Sequence, residues 1–422
     1  MLIKKRISFI NKSLLRRSFS FKNRLRNLQN TYAKPYDFLL DKQSERFSQI
    51  VNHAYRHSAF YKDLYDRYGV EISQIQHTGD VEKLPVVTKE MVKKNVNKIL
   101  TTPKLFCRKA FTSGTSGIPL TLYRDTSSIL EEEAYICKHR TESGFQLDEK
   151  SISLRGDLNR KTFKIFDPIS KTLHLSIFQL KESTVDKYYT EIKKLKPKAI
   201  FAYPSAIETL ANFMLERGLY LNIPYVFTSS ETLYDFQRPK IENAFNTRLV
   251  DWYGNAERSI ALEEDISRKG CYRELPTYSL NEYYEDHALT TGFINFSFPL
   301  IRYRVDDIIV PSDQPGRVEK IVGKSDDSIV LPDGTRIVRL GGPFKALKEI
   351  KYAQIIQSDY TSLDINIVPS KLFDEGVFSV IRKRLRKRLG NTVSLNFNFI
   401  DEEQIIKTNR GKFKFVVNNL SK

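Results

Sequence analysis

The feature that most constrains the fold is an alternation of short apolar segments with helical segments between residues 105 and 330. The segments 198–203 and 225–228 have the length and the apolar composition of buried strands. Between them, residues 205–214 follow Pro204 and have the periodicity of a helix. Strands that alternate with helices pack in layers, so this part of the chain predicts a layered α/β domain.

The chain has 422 residues, which is more than one hydrophobic core usually serves, so two domains are expected. Residues 40–100 have a largely helical pattern. A turn is predicted at 332–334, followed by a small α+β region with strands near 363–368 and 393–400 around a helix at 376–389. The apolar share of 41% is sufficient for ordinary cores and argues against global disorder.

The charge of the chain is strongly positive, with 68 Lys and Arg against 50 Asp and Glu, a formal net charge of +18. Much of this excess lies in residues 1–30, which contain basic but no acidic side chains, and a second basic cluster occupies 382–388. Apolar residues 3, 7, 10 and 14 recur at helical spacing, which indicates a basic amphipathic helix. Such a helix docks on its own protein, lies on an anionic membrane surface, contacts nucleic acid or acts as a presequence.

Several classes of protein are disfavoured by what the sequence lacks. The three cysteines, Cys107, Cys137 and Cys271, are far apart and form no CxxC pair, which argues against a zinc ribbon or a disulfide framework and favours a reducing cytosol. The six histidines show no metal-ligand spacing. No apolar run approaches the roughly 18 residues of a membrane-spanning helix. No recognised nucleic-acid-binding module is present.

A segment rich in glycine and hydroxyl side chains carries the clearest chemical signal. Glycine lets backbone N–H groups approach an anion, and small hydroxyl groups add hydrogen-bond donors. The segment lacks the Gly-Lys-Ser/Thr ending of a Walker loop, because Ile118 and Pro119 follow it. It predicts a polyphosphate site at Thr112, Ser113, Gly114, Thr115, Ser116 and Gly117.

Further segments follow this loop in a distinctive order, at 251–257, 301–307, 322–327 and 411–412, and two others precede it at 52–61 and 84–90. Together they resemble the adenylate-forming superfamily, in the branch of phenylacetate–CoA ligases and CapK-like capsule-biosynthesis proteins. The resemblance extends from about residue 50 to the C-terminus. It implies a large layered N-terminal domain at 31–323 after the segment 1–30, a hinge at 324–327, and a small mobile α+β domain at 328–422 that acts as a lid.

The resemblance also implies roles for individual residues around the nucleotide. Thr112 to Gly117 would hold the departing pyrophosphate, and Glu257 would serve catalysis as the Mg²⁺ ligand. The adenine and the acyl group would be contacted by Ser230, Glu231, Tyr253 and Gly254.

Three further roles come from the later segments. Asp307 would bind the ribose hydroxyls, with a one-residue shift to Asp306 as the alternative. Lys324 stands where relatives have arginine, and Asp326 would be the hinge pivot. Lys412, rather than its neighbour Lys414, would be the catalytic lysine, because Gly411 directly precedes it.

These assignments predict an ATP- and Mg²⁺-dependent ligase that converts a small carboxylic acid to its acyl-adenylate. The first expected acceptor is coenzyme A, which would also be a co-substrate. The alternatives are transfer of an acyl or aminoacyl group to a sugar or lipid-linked glycan, and an inactive scaffold at a membrane. The expected location is the cytoplasm or the inner face of the membrane, which the basic N-terminus would contact.

Overall fold

The computed structural model describes residues 9, 13–112, 120–324, 328–337, 340–344, 347, 349–407 and 413–420. Side-chain caps fix several helix starts: Ser18, Thr88 and Asp125 each accept a hydrogen bond from a backbone N–H of the first turn. The α-helices, numbered α1 to α9 along the described residues, are Phe19–Tyr32, Tyr36–His57, Ala59–Arg67, Lys89–Ile99, Thr126–Glu142, Val185–Leu195, Pro204–Glu216, Gln237–Phe245 and Gly376–Leu389.

The strands of the described residues are mostly short. Numbered β1 to β21, they are Arg108–Phe111, Thr121–Arg124, Ser151–Arg155, Lys164–Asp167, Thr172–Ser176, Ala199–Ala202, Tyr225–Ser229, Arg248–Gly254, Ala261–Glu264, Tyr272–Glu274, Ser279–Tyr283, Ala288–Gly292, Tyr303–Val305, Asp307–Pro311, Arg317–Lys324, Ile329–Val330, Arg336–Ile337, Ile350–Gln357, Ser362–Pro369, Ser394–Phe399 and Val416–Asn418. The predicted alternation of strands and helices is confirmed, with β6, α7 and β7 in the order expected from the sequence.

The chain divides into two compact units, and each contains two separate stretches of sequence. The first unit contains residues 1–148 and 252–321, and the second contains residues 149–251 and 322–422. The domain limits expected from the sequence, at 30, 323 and 327, stay predictions.

The first unit combines helices with antiparallel strands. Strands β11, β12 and β13 form one small sheet, and β9, β10 and β15 pair in another. Helices α2, α3 and α4 bury their apolar side chains, including Phe47, Tyr61 and Val92, in a core shared with Phe298 and Tyr303. Residues 40–100 are therefore largely helical, as the sequence predicts.

The N-terminal helix α1 packs on α5 within the first unit. Its buried residues Phe21 and Leu28 belong to one apolar cluster with Leu130 and Tyr135 of α5. Charge supports the same contact, because Arg24 pairs with Glu131 at 2.8 Å. A similar pair joins Arg16, just before the helix, to Glu133. Part of the positive charge of residues 1–30 is thus neutralised by carboxylates of α5.

The second unit contains a mostly parallel sheet formed by its first stretch of sequence. Strands β5, β3, β6 and β7 are parallel neighbours, and β4 adds an antiparallel edge. Helices α6 and α7 cover it with Val185, Ile192, Ile207 and Leu210, which are fully buried. Because helices cover this sheet, strands β3 and β5 are buried along almost their whole length rather than at alternate residues.

The other stretch of the second unit is the small α+β region expected after residue 327. Its four-stranded sheet has the order β20-β19-β18-β21, and α9 packs on it through Val377, Ile381, Leu385 and Leu389. The predicted turn at 332–334 is present, and Gly334 adopts φ +86°, which is a conformation that favours glycine.

Within the described residues, the structure contains no helix with both the length and the apolar character required to cross a bilayer.

Candidate functional site

A tight turn after β8 presents Glu257, and its polar side chains fix its shape. Asn255 accepts a hydrogen bond from the Ser259 backbone N–H at 3.0 Å and donates to the Ser259 hydroxyl at 2.8 Å. Thr290 of β12 also donates to that hydroxyl at 2.8 Å. Arg258, between them, has φ +58°. The turn is therefore closed at both ends, and Glu257 is held in a defined place.

Gly292 allows this turn to pass close to β12. A Cβ atom at position 292 would lie 2.6 Å from the Arg258 carbonyl oxygen and 2.9 Å from Ser259 Cα. Both contacts are with backbone, which cannot move aside as a flexible side chain would. A side chain at position 292 would displace the turn that carries Glu257.

Four predicted or neighbouring residues converge beside this turn, in the first unit. Burial raises the pKa of Tyr303 far above its usual range, and the Glu257 carboxylate, which interacts with the tyrosine hydroxyl, raises it further. Burial likewise raises the pKa of Tyr253 well above its usual value, and the carboxylates of Asp307 and Glu257 add to the effect. Tyr253, Glu257, Tyr303 and Asp307 therefore form one cluster from two separate segments, 251–257 and 301–307.

The two adjacent aspartates of the 301–307 segment have different surroundings. Asp306 keeps 53% of its side chain exposed and pairs with Arg304 at 3.5 Å. Asp307 is the first residue of β14, and its carboxylate raises the pKa of the buried Tyr253. The structure thus brings Asp307, and not Asp306, to Tyr253.

Two arginines that the sequence analysis did not identify flank Glu257. Arg124, at the end of β2, donates to the Ala256 carbonyl oxygen. Burial and the neighbouring Arg258 guanidinium lower the pKa of Arg124 to about 10. Arg258 donates to the Ser128 carbonyl oxygen at 2.9 Å. The carboxylates of Glu132 and Glu257 both act on Arg124, and no sequence motif distinguishes these two arginines from the many others in this basic chain.

The phosphate loop is described only at its edges. Thr112 is buried, its N–H donates to the Leu120 carbonyl at 3.1 Å, and its hydroxyl accepts from the Leu120 N–H at 3.0 Å. These bonds close the base of the loop after β1. Ser113, Gly114, Thr115, Ser116 and Gly117 lie outside the described residues.

The residues predicted for the adenine side lie in the second unit. Ser230 follows β7 with φ +73°. Glu231 accepts a hydrogen bond from the Ser205 backbone N–H at 3.0 Å, at the N-terminus of α7, where the helix dipole favours a carboxylate. Burial raises the pKa of the neighbouring Tyr203, and the Asp157 carboxylate adds to that shift. Gly254 lies instead in the first unit, where it is the last residue of β8 before the turn that carries Glu257.

The predicted hinge and lysine are largely outside the described residues. Lys324 ends β15, and its side chain is not described. Asp326 and Lys412 are not described either. The segment that contains Lys412 is bracketed by a β-bridge between Lys407 and Phe413.

A magnesium site can be assessed from the donors that are described. Among these residues, no group of three or more His, Cys, Asp or Glu side chains has the spacing to hold a metal ion. Mg²⁺ often binds through one or two carboxylates together with substrate phosphates, and Glu257 offers one such hard oxygen ligand. The residues present therefore fit a magnesium ion that is shared with a nucleotide.

A separate cavity of about 760 Å³ lies within the second unit. Its lining includes the aromatic side chains of Phe236, Phe344 and Phe415, with Lys240 and Lys351 beside them. Of the residues predicted for nucleotide binding, none of those that the structure describes is among the residues that line it.

Comparison of the sequence with protein families gives a match at the C-terminus and a match over nearly the whole chain. Residues 329–419 match the family model of the CapK C-terminal domain. Protein CapK of Staphylococcus aureus is 23% identical over 407 residues, which cover 90% of each chain. An indoleacetate–lysine synthetase of Pseudomonas savastanoi is 23% identical over 267 residues, 58% of this chain and 66% of that protein.

Solved structures with the same fold are adenylate-forming enzymes. A 2-hydroxyisobutyryl-CoA ligase in the postadenylation state superimposes with a TM-score of 0.69 at 15% identity, over 89% of this chain and 88% of that one. An anthranilate CoA ligase bound to anthranoyl-AMP gives 0.54 at 14% identity, over 74% and 66% of the two chains. With its large α/β portion and smaller C-terminal region, the chain therefore shares the fold of these CoA ligases, is similar in sequence to CapK over most of its length, and matches the CapK C-terminal domain at residues 329–419.

Proposed function

We propose that the protein activates a carboxylic acid as its acyl-adenylate with ATP. The observation that carries the proposal is the cluster of Glu257, Tyr303, Tyr253 and Asp307, which joins two separate segments in one unit. Sequence similarity to CapK over 90% of the chain supports the same conclusion, because the resemblance gives those segments nucleotide-binding roles.

The proposed first step is a displacement at phosphorus. A carboxylate oxygen of the acid attacks the α-phosphorus of ATP and forms a new P–O bond. The bond from that phosphorus to the α,β-bridging oxygen breaks, and pyrophosphate leaves with the electron pair. Positioning and electrostatic stabilisation supply most of the acceleration in such a step.

The residues of this chain divide that work. Asp307 would accept hydrogen bonds from the ribose hydroxyls, while Ser230, Glu231, Tyr253 and Gly254 would border the adenine and the acyl group. Residues 112–117 would hold the pyrophosphate, and the Arg124 and Arg258 guanidinium groups near Glu257 favour negative charge there. Glu257 would hold the magnesium ion, which neutralises phosphate charge when it is bound.

The small C-terminal region would deliver the remaining cation. Lys412 would stabilise the charge that develops on the α-phosphate and carboxylate oxygens, and rotation about Asp326 in the 324–327 hinge would bring it to the nucleotide. Lys324 would supply a second positive charge near the hinge, without the planar fork of an arginine.

The first acceptor that we propose is coenzyme A. Its thiolate sulfur would attack the acyl carbon, and AMP would leave with the bonding electron pair of the acyl–phosphate oxygen bond. Support comes from the shared fold with two CoA ligases and from the positive charge of the chain, which attracts the phosphates of coenzyme A.

A second candidate acceptor is an amine or hydroxyl group on a sugar or a lipid-linked glycan. It is favoured by the sequence similarity to CapK over almost the whole chain and to an indoleacetate–lysine synthetase. We propose a cytoplasmic location, where ATP and reduced thiols are available. An inactive scaffold is disfavoured, because it has no need for the Glu257 and Asp307 cluster.

Exchange of labelled pyrophosphate into ATP tests adenylation directly, with aryl, fatty, amino and hydroxy acids offered in turn. The wild type is expected to exchange with at least one class, and Lys412→Ala to lower the rate at least about 100-fold, as the loss of one electrostatic stabiliser does. Lys414→Ala is the matched control and is expected to remain within about threefold. Equal rates in both variants would contradict the role of Lys412, and no exchange with any acid would contradict adenylation.

The acceptor is identified with the acid found in that screen. Incubation with ATP, the acid and coenzyme A, followed by mass spectrometry, is expected to give the thioester. If the adenylate accumulates without a thioester, while an amino sugar yields an amide, the second acceptor class is correct.

A further inference from the structure

Only part of the positive charge on helix α9 takes part in contacts that stabilise the fold. Six of its 14 residues are Lys or Arg, and Val377, Ile381, Leu385 and Leu389 attach it to the sheet. Arg386 donates to the carbonyl oxygens of Gly390 and Val393, so its charge fastens the end of the helix. Arg384 donates to the Pro343 carbonyl oxygen. These two arginines stabilise the fold.

Lys383 and Lys387 are different, because they lie one turn apart on the solvent side of α9 and are both exposed. No carboxylate of the described residues pairs with either lysine. Acidic residues near the helix, Asp374 and Glu375, lie at its N-terminus, and Asp374 accepts a hydrogen bond from the Gly376 N–H at 2.8 Å. The basic face is therefore not neutralised along its length.

An aromatic edge adjoins this basic face. Phe378 packs on Phe397 and Phe399, with ring centroids 5.1 and 5.2 Å apart, and Phe373 completes the group. Arg382 lies over the Phe397 ring at 4.9 Å. Phe399 is nevertheless 55% exposed, and Leu372, which directly precedes Phe373 in the sequence, is 67% exposed.

Exposed aromatic side chains at a sheet edge are unusual in a protein that only needs to remain dissolved. Edge strands are normally protected by charged side chains or by a covering element, and β20 is an edge strand of its sheet. The Phe399 ring instead exposes apolar surface to water, and burying that surface would be favourable. Basic residues together with apolar side chains at one surface match the interface of an anionic bilayer, where cations meet headgroups and rings enter the boundary with the acyl chains.

We propose that the α9 surface, formed by Arg382, Lys383, Lys387, Phe397 and Phe399, docks on an anionic phospholipid bilayer. Lys383 and Lys387 attract the headgroups, and Phe399 enters the interface. This contact is independent of the adenylation chemistry, so an enzyme with either acceptor could make it.

Co-sedimentation of the full-length protein with vesicles tests the proposal, comparing pure phosphatidylcholine with a mixture that contains phosphatidylglycerol. The wild type is expected to bind the anionic vesicles, and to lose binding as salt is raised. The variant Lys383→Gln/Lys387→Gln is expected to bind on the order of 30-fold more weakly, because each lysine near the surface contributes roughly fivefold. Phe399→Ser is expected to weaken binding as well.

The matched control is Lys93→Gln/Lys94→Gln, which removes two exposed lysines of α4 in the other unit. It is expected to bind within about twofold of the wild type, and the unfolding temperature of each variant shows that the fold is retained. Equal binding by the wild type and the α9 double variant would overturn the proposal, as would equal binding to both vesicle types. If free coenzyme A or a nucleic acid, but no vesicle, binds in an α9-dependent way, the bilayer proposal is also wrong. Pyrophosphate exchange without vesicles is expected to be unchanged in the α9 variants, so the two proposals fail separately.

Discussion

At the scale of single residues, two neighbouring carboxylates show how burial decides chemical role. Asp306 and Asp307 have the same side chain and nearly the same place in the sequence. Asp306 is 53% exposed beside Arg304, and its charge adds only to the raised pKa of Tyr303, whereas the Asp307 carboxylate raises the pKa of the buried Tyr253. A hydrogen bond to a charged group is worth more where water is excluded, so Asp307 is the better partner for ribose hydroxyls.

This difference predicts separate kinetic effects for two matched substitutions. Asp307→Asn is expected to raise the KM for ATP at least about tenfold, since a hydrogen bond to a charged group contributes roughly 1.5–3 kcal/mol. Asp306→Asn is expected to change it less than about twofold. Steady-state kinetics with the acid found in the exchange screen measures both values, and the reverse order would move the ribose contact to Asp306.

Asp359 connects one residue to the acid stability of the C-terminal sheet. It lies in the turn between β18 and β19, where Ser362 and Thr361 donate hydrogen bonds to its carboxylate at 2.5 and 2.7 Å. These bonds, led by the one from Ser362, lower the pKa of Asp359 to about 2. A lowered carboxylate pKa stabilises the fold above the unfolded pKa near 4, and that contribution is lost as pH falls through the folded value.

We therefore expect Asp359→Asn to unfold at lower urea than the wild type at pH 7. The gap between the two midpoints is expected to narrow below about pH 4 and to close only below the folded pKa of about 2, where the wild-type carboxyl group is neutral as well. Urea titrations at four or five pH values measure it. A gap that is constant across this range would show that charge on Asp359 does not contribute.

At the scale of elements, β18 carries two buried glutamines that fasten different neighbours. Gln354 donates to the carbonyl oxygens of Ile406 and Lys414 and accepts from the Ile406 N–H at 3.1 Å. It therefore ties together the two sides of the segment 408–412. Gln357 donates to the Val330 carbonyl and accepts from the Val330 N–H, so it fastens β16 instead.

The pair offers a prediction about the lysine segment. Gln354→Leu and Gln357→Leu each leave buried backbone groups unpaired, so both are expected to lower the free energy of unfolding by about 1–3 kcal/mol. The rate of pyrophosphate exchange is expected to fall at least about tenfold in Gln354→Leu alone, because the anchor of the Lys412 segment is lost. Exchange that falls equally in both variants would show that Gln354 acts only through general stability.

At the scale of the whole molecule, each compact unit is assembled from distant parts of the chain. In the second unit, Phe415 of the C-terminal stretch packs on Tyr234 at 5.2 Å and on Phe236 at 6.1 Å between ring centroids. These contacts bury aromatic rings that come from both sides of residue 323. A domain boundary at that residue would therefore separate side chains that pack together.

A chain that ends at Gly323 is therefore expected to expose Tyr234 and Phe236 and to be less stable than the full-length protein. Thermal unfolding and binding of a hydrophobic dye measure the change, with the full-length protein as the reference. A truncated chain that melts at the same temperature and binds no more dye would instead support residues 31–323 as an independent domain.

Local information in the sequence was sufficient for the class of fold. Strand and helix periodicity depends on neighbouring residues, so β6, α7 and β7, and the elements around 376–389, follow from the pattern alone. The segments with Glu257 and Asp307 predict a nucleotide enzyme through their resemblance to a known family, and each of these motifs is a short run of residues.

Contacts between residues far apart in the chain were decided only by tertiary structure. Burial beside Tyr253 distinguishes Asp307 from Asp306, and packing places Arg124 next to a turn more than 130 residues later. No short segment of the sequence predicts the packing of α1 on α5 or the hydrogen bonds of Gln354 to the segment after β20. The same is true of the compact unit that residues 149–251 form with residues 322–422. Such features depend on which surfaces exclude water together, and that is a property of the folded chain rather than of any short segment.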